Sequence, residues 1–287
     1  MTVYRNIKIV LQYDGSRYDG WQKQGNTKNT IQGKLEAVLE KLAGEPVEVY
    51  GSGRTDAGVH AMGQTANFRL EERCLEELVD KTPEKKENGG TEERRKPEKG
   101  KEADIPAAVM DYLNRYLPED IAVISAAEVP ERFHSRLNAV EKTYLYQIET
   151  ASRKNVFERK YIWGLGKELD LPAMEKAAEI LLGSHDFRAF SSAKRMKKSA
   201  VRELRKVEIY RKGSRVSLEF TGNGFLYNMV RILAGTLIEV GLHKRTIASV
   251  REALESRDRE RAGFTAPAEG LLLKSVRYDE KSLKLMQ

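Results

Sequence analysis

The stretch Gly51-Ser-Gly-Arg-Thr-Asp-Ala-Gly-Val-His60 is the most informative part of this 287-residue chain. It predicts a loop in which three glycines present Arg54 and Asp56. Glycine adopts backbone angles that other residues resist, and it lets a ligand approach the backbone closely. The spacing alone leaves two interpretations open: a site built on a guanidinium and a carboxylate, or a glycine-rich hairpin with a solvated ion pair.

Strand patterns flank this loop on both sides. Val47-Glu-Val-Tyr50 alternates before it, and Gln64-Thr-Ala-Asn-Phe68 can continue as a strand after it. The loop lacks the Gly-Lys-Ser/Thr ending of a phosphate-binding loop and the glycine spacing of a dinucleotide-binding turn. It therefore excludes the two commonest glycine-rich nucleotide motifs.

Strand and helix patterns interleave along the rest of the chain, with hairpins where a doubly wound fold would have crossovers. This order predicts an α+β fold with a largely antiparallel sheet. The first helix, which ends at Gly44, is expected to begin at Asn29, with Gln32 completing a capping-box-like pair. The other predicted strands are 7–13, 121–124, 142–148, 207–210, 216–220 and 271–276, and the other predicted helices are 105–117, 172–182, 225–240 and 247–254.

The excess of basic residues suggests a polyanionic partner, although an excess of this size is also common in proteins that bind no nucleic acid. The chain carries 50 Lys and Arg against 43 Asp and Glu, a net charge of +7 with a pI near 9.2. The densest basic run consists of Lys194, Arg195, Lys197 and Lys198. Such a run is either a solvated surface or a patch that follows nucleic-acid phosphates.

Residue types that bind metals or form disulfides are scarce. Cys74 is the single cysteine, so no internal disulfide and no cysteine metal cluster can form, which fits a reducing cytosol. The four histidines form no ligand pair at a known metal spacing. The N-terminus has no signal-type apolar core, and no apolar run approaches the ~18 residues of a membrane span. We expect a cytoplasmic, soluble protein without a metal.

Residues 81–103 differ in composition from the rest of the chain. The segment is rich in Lys, Glu, Pro and Gly and contains no aromatic residue. Such a composition cannot offset the entropy of ordering, so we expect a flexible charged insertion. Solvated filler and a modulator of RNA contacts both remain open as its role.

The Gly51–His60 loop closely resembles the signature of the bacterial tRNA pseudouridine synthase A family. Further segments resemble the family in the same order, and the resemblance covers nearly the whole chain apart from 81–103. It implies the pseudouridine synthase fold, in which two ferredoxin-like halves form one sheet with a central cleft. The halves would be 1–106, which carries Asp56, and 107–287. The other matching segments are 13–22, 133–136, 142–146, 225–238 and 265–271.

The resemblance implies an isomerase that converts uridine to pseudouridine at positions 38, 39 and 40 of the tRNA anticodon stem-loop. It implies no cofactor, and it implies a homodimer. Two alternatives remain open: a non-catalytic tRNA-binding or RNA-folding protein that has lost the chemistry, and an RNA N-glycosidase that would release the base.

Three residues match the family's catalytic positions. Asp56 would be the nucleophile, and Arg231 would pair with it and keep it ionised. Tyr144 would stack on the target base and take part in proton transfer from C5. From the residues alone, Arg231 on the apolar stretch 225–238 could instead reach solvent at a helix edge, and Tyr144 could be a packing residue.

Other residues match family positions that contact the substrate. Leu271 would wall the uracil pocket, and Arg54 would occupy the space left by a flipped nucleotide. His134 and Arg136 match a segment near the RNA. The chain departs from the family at Lys142-Thr143, where many members carry arginines, which weakens the expected RNA role of these two positions. The expected phosphate contacts are Lys194, Arg195, Lys197 and Lys198.

Overall fold

The structure is a computed structural model of an α+β protein. Its described residues form ten strands and six α-helices, so the predicted class is confirmed. The expected insertion at 81–103 lies outside the described residues, except that Lys81 ends a helix. The described residues are 2–81, 104–153, 155–196 and 198–284.

The ten strands join into one sheet. Its order is β4-β1-β3-β10-β5-β9-β8-β7, with β2 also paired to β3 and β6 to β5. Only β3–β10 and β5–β6 are parallel, so the prediction of a mainly antiparallel sheet is confirmed. The strands are β1 (Tyr4–Tyr13), β2 (Tyr50–Gly51), β3 (His60–Glu71), β4 (Ile121–Val129), β5 (Ala139–Glu149), β6 (Trp163–Gly164), β7 (Gly183–Asp186), β8 (Val201–Lys212), β9 (Arg215–Gly222) and β10 (Leu271–Tyr278).

Helix boundaries differ from the sequence prediction in a few places. The helix predicted over 225–240 begins later because Asn228 is left-handed, with a φ of 59°. Helix α2 is absent from the prediction because its charged residues mask the buried Leu75 and Leu78. No helix in the described part of the chain is long and apolar enough to span a bilayer. The helices are α1 (Ile31–Ala43), α2 (Glu72–Lys81), α3 (Ile105–Tyr116), α4 (Leu171–Glu179), α5 (Met229–Gly241) and α6 (Ile247–Ser256).

The cap of α1 lies one residue later than predicted. Thr30 is the N-cap, because its hydroxyl oxygen accepts a hydrogen bond from the Gly33 N–H at 3.1 Å. Asn29 instead donates through its side chain to the carbonyl of Arg17. The Gln32 amide bonds outside the helix start, so no capping box forms. A tertiary contact therefore decided between two adjacent residues of similar capping ability.

Buried and exposed residues alternate along the strands, and the buried helix α5 positions the site. In β1, Ile7, Ile9 and Leu11 are fully buried and alternate with more exposed residues. Helix α5 is apolar on nearly every side and packs against β5 and α4. Its N-terminal turn carries Arg231, so the deeply buried body of α5 holds this arginine close to the middle of the sheet.

Candidate active site

The loop between β2 and β3 carries Asp56, and its first half is tied to β3. The N–H of the buried Ser52 donates to the Thr65 carbonyl at 2.7 Å, and the Ser52 hydroxyl donates to the Gln64 side-chain oxygen. The Gln64 amide donates to the Gly53 carbonyl at 3.0 Å. These bonds set the path of the chain before it reaches Asp56.

The second half of the loop is held by the end of β1 and the turn that follows it. The Trp21 N–H donates to the Thr55 carbonyl at 3.0 Å, and the hydroxyls of Tyr13 and Thr55 lie 2.8 Å apart. The loop closes where the Val59 N–H donates to the Asp56 carbonyl at 3.1 Å. Supports on both sides of Asp56 restrict the positions that its carboxylate can take.

Gly20 approaches this loop so closely that a methyl group has no room. Its φ of 93° favours glycine, and an added Cβ would lie 2.7 Å from the Thr55 carbonyl oxygen. We expect Gly20→Ala to lower the free energy of unfolding by about 1–3 kcal/mol, because backbone atoms must shift to accept the methyl group. Denaturant unfolding with the midpoint and slope both fitted measures this effect.

Gly44 offers a matched control for Gly20. It also has a positive φ, 74°, but an added Cβ would meet nothing within 4 Å. Gly44→Ala therefore reports the cost of backbone strain alone. Equal losses in the two variants would show that the contact with Thr55 contributes nothing.

Asp56 and Arg231 face each other, although they are 175 residues apart in the chain. The Asp56 Oδ2 and the Arg231 Nη1 are 3.8 Å apart, with side chains 24% and 18% exposed. Burial raises the pKa of Asp56, and the positive charge of Arg231 opposes that rise. Burial has the larger effect because 3.8 Å is long for an ion pair.

Other contacts hold the Arg231 guanidinium. Its Nε donates to the Ala266 carbonyl at 2.6 Å, and its Nη1 donates to the Asn228 side-chain oxygen at 3.1 Å. The Asn228 amide in turn donates to the Ser192 hydroxyl at 3.1 Å. The guanidinium is therefore held within the site, with 18% of the side chain exposed, and does not extend outward at a helix edge, which was the alternative that the sequence left open.

Tyr144 lies in β5, opposite Phe220 of β9 and Leu273 of β10. Its ring is buried and meets Phe225 edge-on, with ring centroids 5.1 Å apart. Burial, and then the nearby Tyr13 and Asp56, raise the pKa of Tyr144 far above its ordinary value. Its hydroxyl is therefore protonated at neutral pH and can donate a hydrogen bond.

Leu271 is the first residue of β10 and is buried opposite Tyr146. Tyr146 is two residues after Tyr144 in β5, so both tyrosines and Leu271 lie on one face of the sheet. The Tyr146 hydroxyl donates to the Pro267 carbonyl at 2.9 Å, which anchors the turn before Leu271. The structure thus brings Asp56, Arg231, Tyr144 and Leu271 to the same end of the sheet.

A cleft of about 270 Å³ beside the loop collects three more of the predicted residues: Arg54, His134 and Arg136. The Arg54 Nε donates to the Gln22 side chain at 3.0 Å, and the His134 ring packs on Tyr50 with centroids 4.9 Å apart. Asp56 is not among the residues that line this cleft. The predicted substrate contacts thus form a second group next to the Asp56 pair.

The basic run lies on the exposed loop that precedes β8. Lys194, Arg195 and Lys198 are exposed there, and Lys197 lies outside the described residues. The same loop reaches the Arg231 side through Ser192, whose N–H donates to the Tyr227 carbonyl at 3.1 Å. The run is therefore near the site, but it contributes no contact to Asp56 among the described residues.

Sequence reasoning missed several polar residues that support the site: Gln64, Asn228 and Lys142. Asn228 carried a signal, because it is one of few polar residues in an apolar stretch. Gln64 carried none, and the contact of Lys142, a position already noted beside Tyr144, could not be foreseen, because their partners Gly53 and Ser52 are reached only through strand pairing. Lys142 donates to the Ser52 carbonyl at 2.6 Å.

Comparison with known proteins identifies the family. The sequence profile of the tRNA pseudouridine synthase family matches residues 9–138 and 177–279. The tRNA pseudouridine synthase A of Bacillus sp. (strain KSM-64) is 45% identical over 273 residues, which is 95% of this chain and 99% of that protein. That of Acetivibrio thermocellus is 40% identical, over 96% of this chain and 100% of that protein. The chain belongs to the tRNA pseudouridine synthase family.

Membership of this family confirms the resemblance seen in the sequence. Pseudouridine synthases are isomerases, so the chain is an enzyme of that class rather than a non-catalytic RNA-binding protein. A tRNA pseudouridine synthase A 2 of Clostridium tetani, 40% identical over 96% of this chain, agrees with this assignment.

Proposed function

We propose that this chain isomerises uridine to pseudouridine at positions 38, 39 and 40 of the tRNA anticodon stem-loop, with no cofactor and no metal. The observation that carries the proposal is the half-buried Asp56–Arg231 pair beside the buried Tyr144. A chain that only binds RNA has no need for a carboxylate whose charge is disfavoured by burial.

The reaction exchanges one bond of the sugar for another. The C1′–N1 bond breaks, the uracil turns, and C1′ bonds to C5, while the C5 proton leaves and N1 gains a proton. Asp56 attacks the nucleoside or stabilises positive charge at C1′, as carboxylates do in glycosidic chemistry. Arg231 orients Asp56 and favours its ionised form. Tyr144 stacks on the base and takes part in the transfer of the C5 proton, as the resemblance implies, while Leu271 bounds the pocket.

RNA binding would use the second group of residues, which line the cleft beside the Asp56 loop, and the basic run that precedes β8. A uridine in a stem must leave the base stack, at a cost of a few kcal/mol. Arg54 would fill the vacated space, and His134 and Arg136 would contact the adjacent backbone. Lys194, Arg195, Lys197 and Lys198 would follow phosphates further along the stem.

We further propose the domain division and assembly that the resemblance implies. Residues 1–106 and 107–287 would form two ferredoxin-like halves, with β10 inserted beside β3 where the halves meet. The proposed homodimer rests on the resemblance to the family alone. The proposed location is the cytoplasm, where tRNA is found.

The test is pseudouridine mapping on tRNA incubated with the purified protein, combined with mass spectrometry of the RNA. Isomerisation leaves the mass unchanged and places pseudouridine at 38, 39 or 40. An N-glycosidase would lower the mass by the lost base, and a binder would leave the uridine intact. Modification confined to another arm of the tRNA would reject the proposed positions but keep the chemistry.

The basic loop yields a prediction about salt. Neutralising Lys194, Arg195, Lys197 and Lys198 together is expected to weaken tRNA binding and to flatten its salt dependence. Each lost phosphate contact should reduce the slope of log affinity against log salt by about 0.7 to 0.9. Fluorescence anisotropy with labelled tRNA at several salt concentrations measures this slope.

A control variant removes the same number of positive charges elsewhere. Its four cations are each paired with a carboxylate already, so they are poor phosphate ligands. If both variants change the slope equally, net charge explains the effect, and the run is a solvated surface. The control cations are Arg73, Lys206, Arg211 and Arg215, whose partners are Glu77, Glu208, Glu168 and Glu158.

A further inference from the structure

Lys142 is placed between the strand that carries Tyr144 and the loop that carries Asp56. It lies two residues before Tyr144 in β5, so both side chains leave the same face of the sheet. Its Nζ donates to the Ser52 carbonyl at 2.6 Å, four residues before Asp56. One ammonium group therefore contacts the backbone of the loop and is a direct neighbour of the site.

Two glycines make room for this lysine. A Cβ on Gly53 would lie 2.9 Å from the Lys142 Nζ, so a larger residue in the loop would displace the ammonium group. Gly222, the partner of Lys142 in β9, places no side chain beside it. Gly53 thus allows the charged group of Lys142 to approach the loop closely, in addition to allowing the turn.

The charges around Lys142 are positive. Burial and the nearby Arg136 and Arg202 lower the pKa of Lys142 to about 8. Gly222 of β9 pairs with Lys142 on one side and with Leu204 of β8 on the other. Arg202 is two residues before Leu204 in β8 and therefore lies close to Lys142. Its guanidinium donates to the carbonyls of Ser199 and Val201, at 2.9 and 2.6 Å. Arg136 lines the cleft that Gly53 and Arg54 also line.

Among the described residues, these three cations form no ion pair with a carboxylate. Elsewhere in the sheet the opposite holds: Lys274 contacts Glu219 at 2.7 Å, and Arg205 contacts Glu141 at 2.9 Å. Converging positive groups without a protein anion repel one another, and that repulsion is relieved when an external anion binds. The backbone phosphate is the anion that RNA offers.

We infer that Lys142, Arg136 and Arg202 form an anion site that binds one backbone phosphate of the RNA adjacent to the target nucleotide. The inference rests on the proposed function, since it takes RNA as the substrate. Lys142 would join this phosphate to the Ser52 carbonyl, so RNA docking and the position of the Asp56 loop depend on the same ammonium group. A shared group would align the target sugar with Asp56.

The test compares Lys142→Met with the wild-type chain in tRNA binding across a salt series. Loss of one phosphate contact should weaken binding and reduce the slope of log affinity against log salt by about 0.7 to 0.9. Lys274→Met is the control, because it removes the same charge from the opposite face of the sheet, where Glu219 already neutralises it. The control should keep the wild-type slope.

Anticodon stem-loops with a single methylphosphonate linkage identify the phosphate. Each such RNA has one neutral linkage in place of one charged phosphate. At the bound phosphate, the substitution should weaken binding to the wild-type chain and have no further effect on Lys142→Met, because both changes remove the same contact. Additive losses at every linkage near the target would overturn the inference.

A structural role for Lys142 gives a different result. If Lys142 only tethers the loop, Lys142→Met lowers turnover and leaves the salt slope at its wild-type value, and the anion site is rejected. If thermal unfolding shows that Lys142→Met is not folded, the double variant Arg136→Gln and Arg202→Gln is measured instead. It must then show the reduced slope of log affinity against log salt. Absence of pseudouridine formation by the wild-type chain would reject the proposed function itself, which the binding series does not measure.

Discussion

Asp56→Asn is expected to abolish pseudouridine formation while changing tRNA affinity by less than about tenfold, or ~1.4 kcal/mol. Most of the affinity should come from many phosphate contacts, whereas Asp56 acts on one nucleoside. Asparagine keeps the shape of the side chain but cannot attack C1′ or stabilise positive charge there. Single-turnover assays and anisotropy titrations on the same preparation measure both quantities. A variant with substantial turnover would reject Asp56 as the catalytic carboxylate.

Stability measurements separate a chemical defect from a folding defect. The pKa of Asp56 is raised in the folded chain, so the folded state disfavours the ionised form relative to the unfolded state. At neutral pH this ionised carboxylate lowers the free energy of unfolding. Asp56→Asn should therefore keep or raise the thermal midpoint. Asp80→Asn, at an exposed position of α2, is the control for removing a carboxylate and should retain full turnover.

Arg231→Met is expected to cause a large loss of turnover and to raise the pH at which activity appears. Burial already raises the pKa of Asp56, and Arg231 is the cation that opposes this effect. Without it the carboxyl group should stay protonated to a higher pH, and the ionised form needed for catalysis should appear later in a pH titration. Methionine keeps much of the apolar packing of α5. Rates measured from pH 5 to 9 test the shift.

A double-mutant cycle tests whether Arg231 and Asp56 act as a unit. If they do, the variant that carries both Arg231→Met and Asp56→Asn should be scarcely slower than the slower single variant. Fully additive losses, or a normal pH profile in Arg231→Met, would show that Arg231 does not serve Asp56.

Arg245 provides the matched control for Arg231. It lies between α5 and α6, is similarly buried at 17% exposed, and pairs with Glu239 of α5 at 3.0 Å. Arg245→Met should lower the thermal midpoint, because it leaves a partly buried carboxylate without its partner. It should leave the pH profile of turnover unchanged.

Local patterns predicted most of the secondary structure. The hairpin of β8 and β9 turns at Gly213, whose φ is 61°, as the glycine between two alternating segments indicates. The cap of α1 was misplaced because a tertiary contact chose between similar local options. Asn29 and Thr30 both suit a helix cap, and the bond from Asn29 to the Arg17 carbonyl left the cap to Thr30.

The sequence by itself determined the α+β class, the family and the loop that carries Asp56, because each depends on local pattern or on a motif of adjacent residues. The resemblance implied that Arg231 pairs with Asp56, but only the tertiary structure decided how the distant groups meet and at what distance. The parallel pairing of β10 with β3 brings Leu271 to the start of β3, just after the Asp56 loop. The packing of α5 carries Arg231 to 3.8 Å from Asp56. Strand pairing and burial are properties of the folded chain, so the raised pKa of Asp56 and the unpaired charge of Lys142 have no counterpart in local sequence.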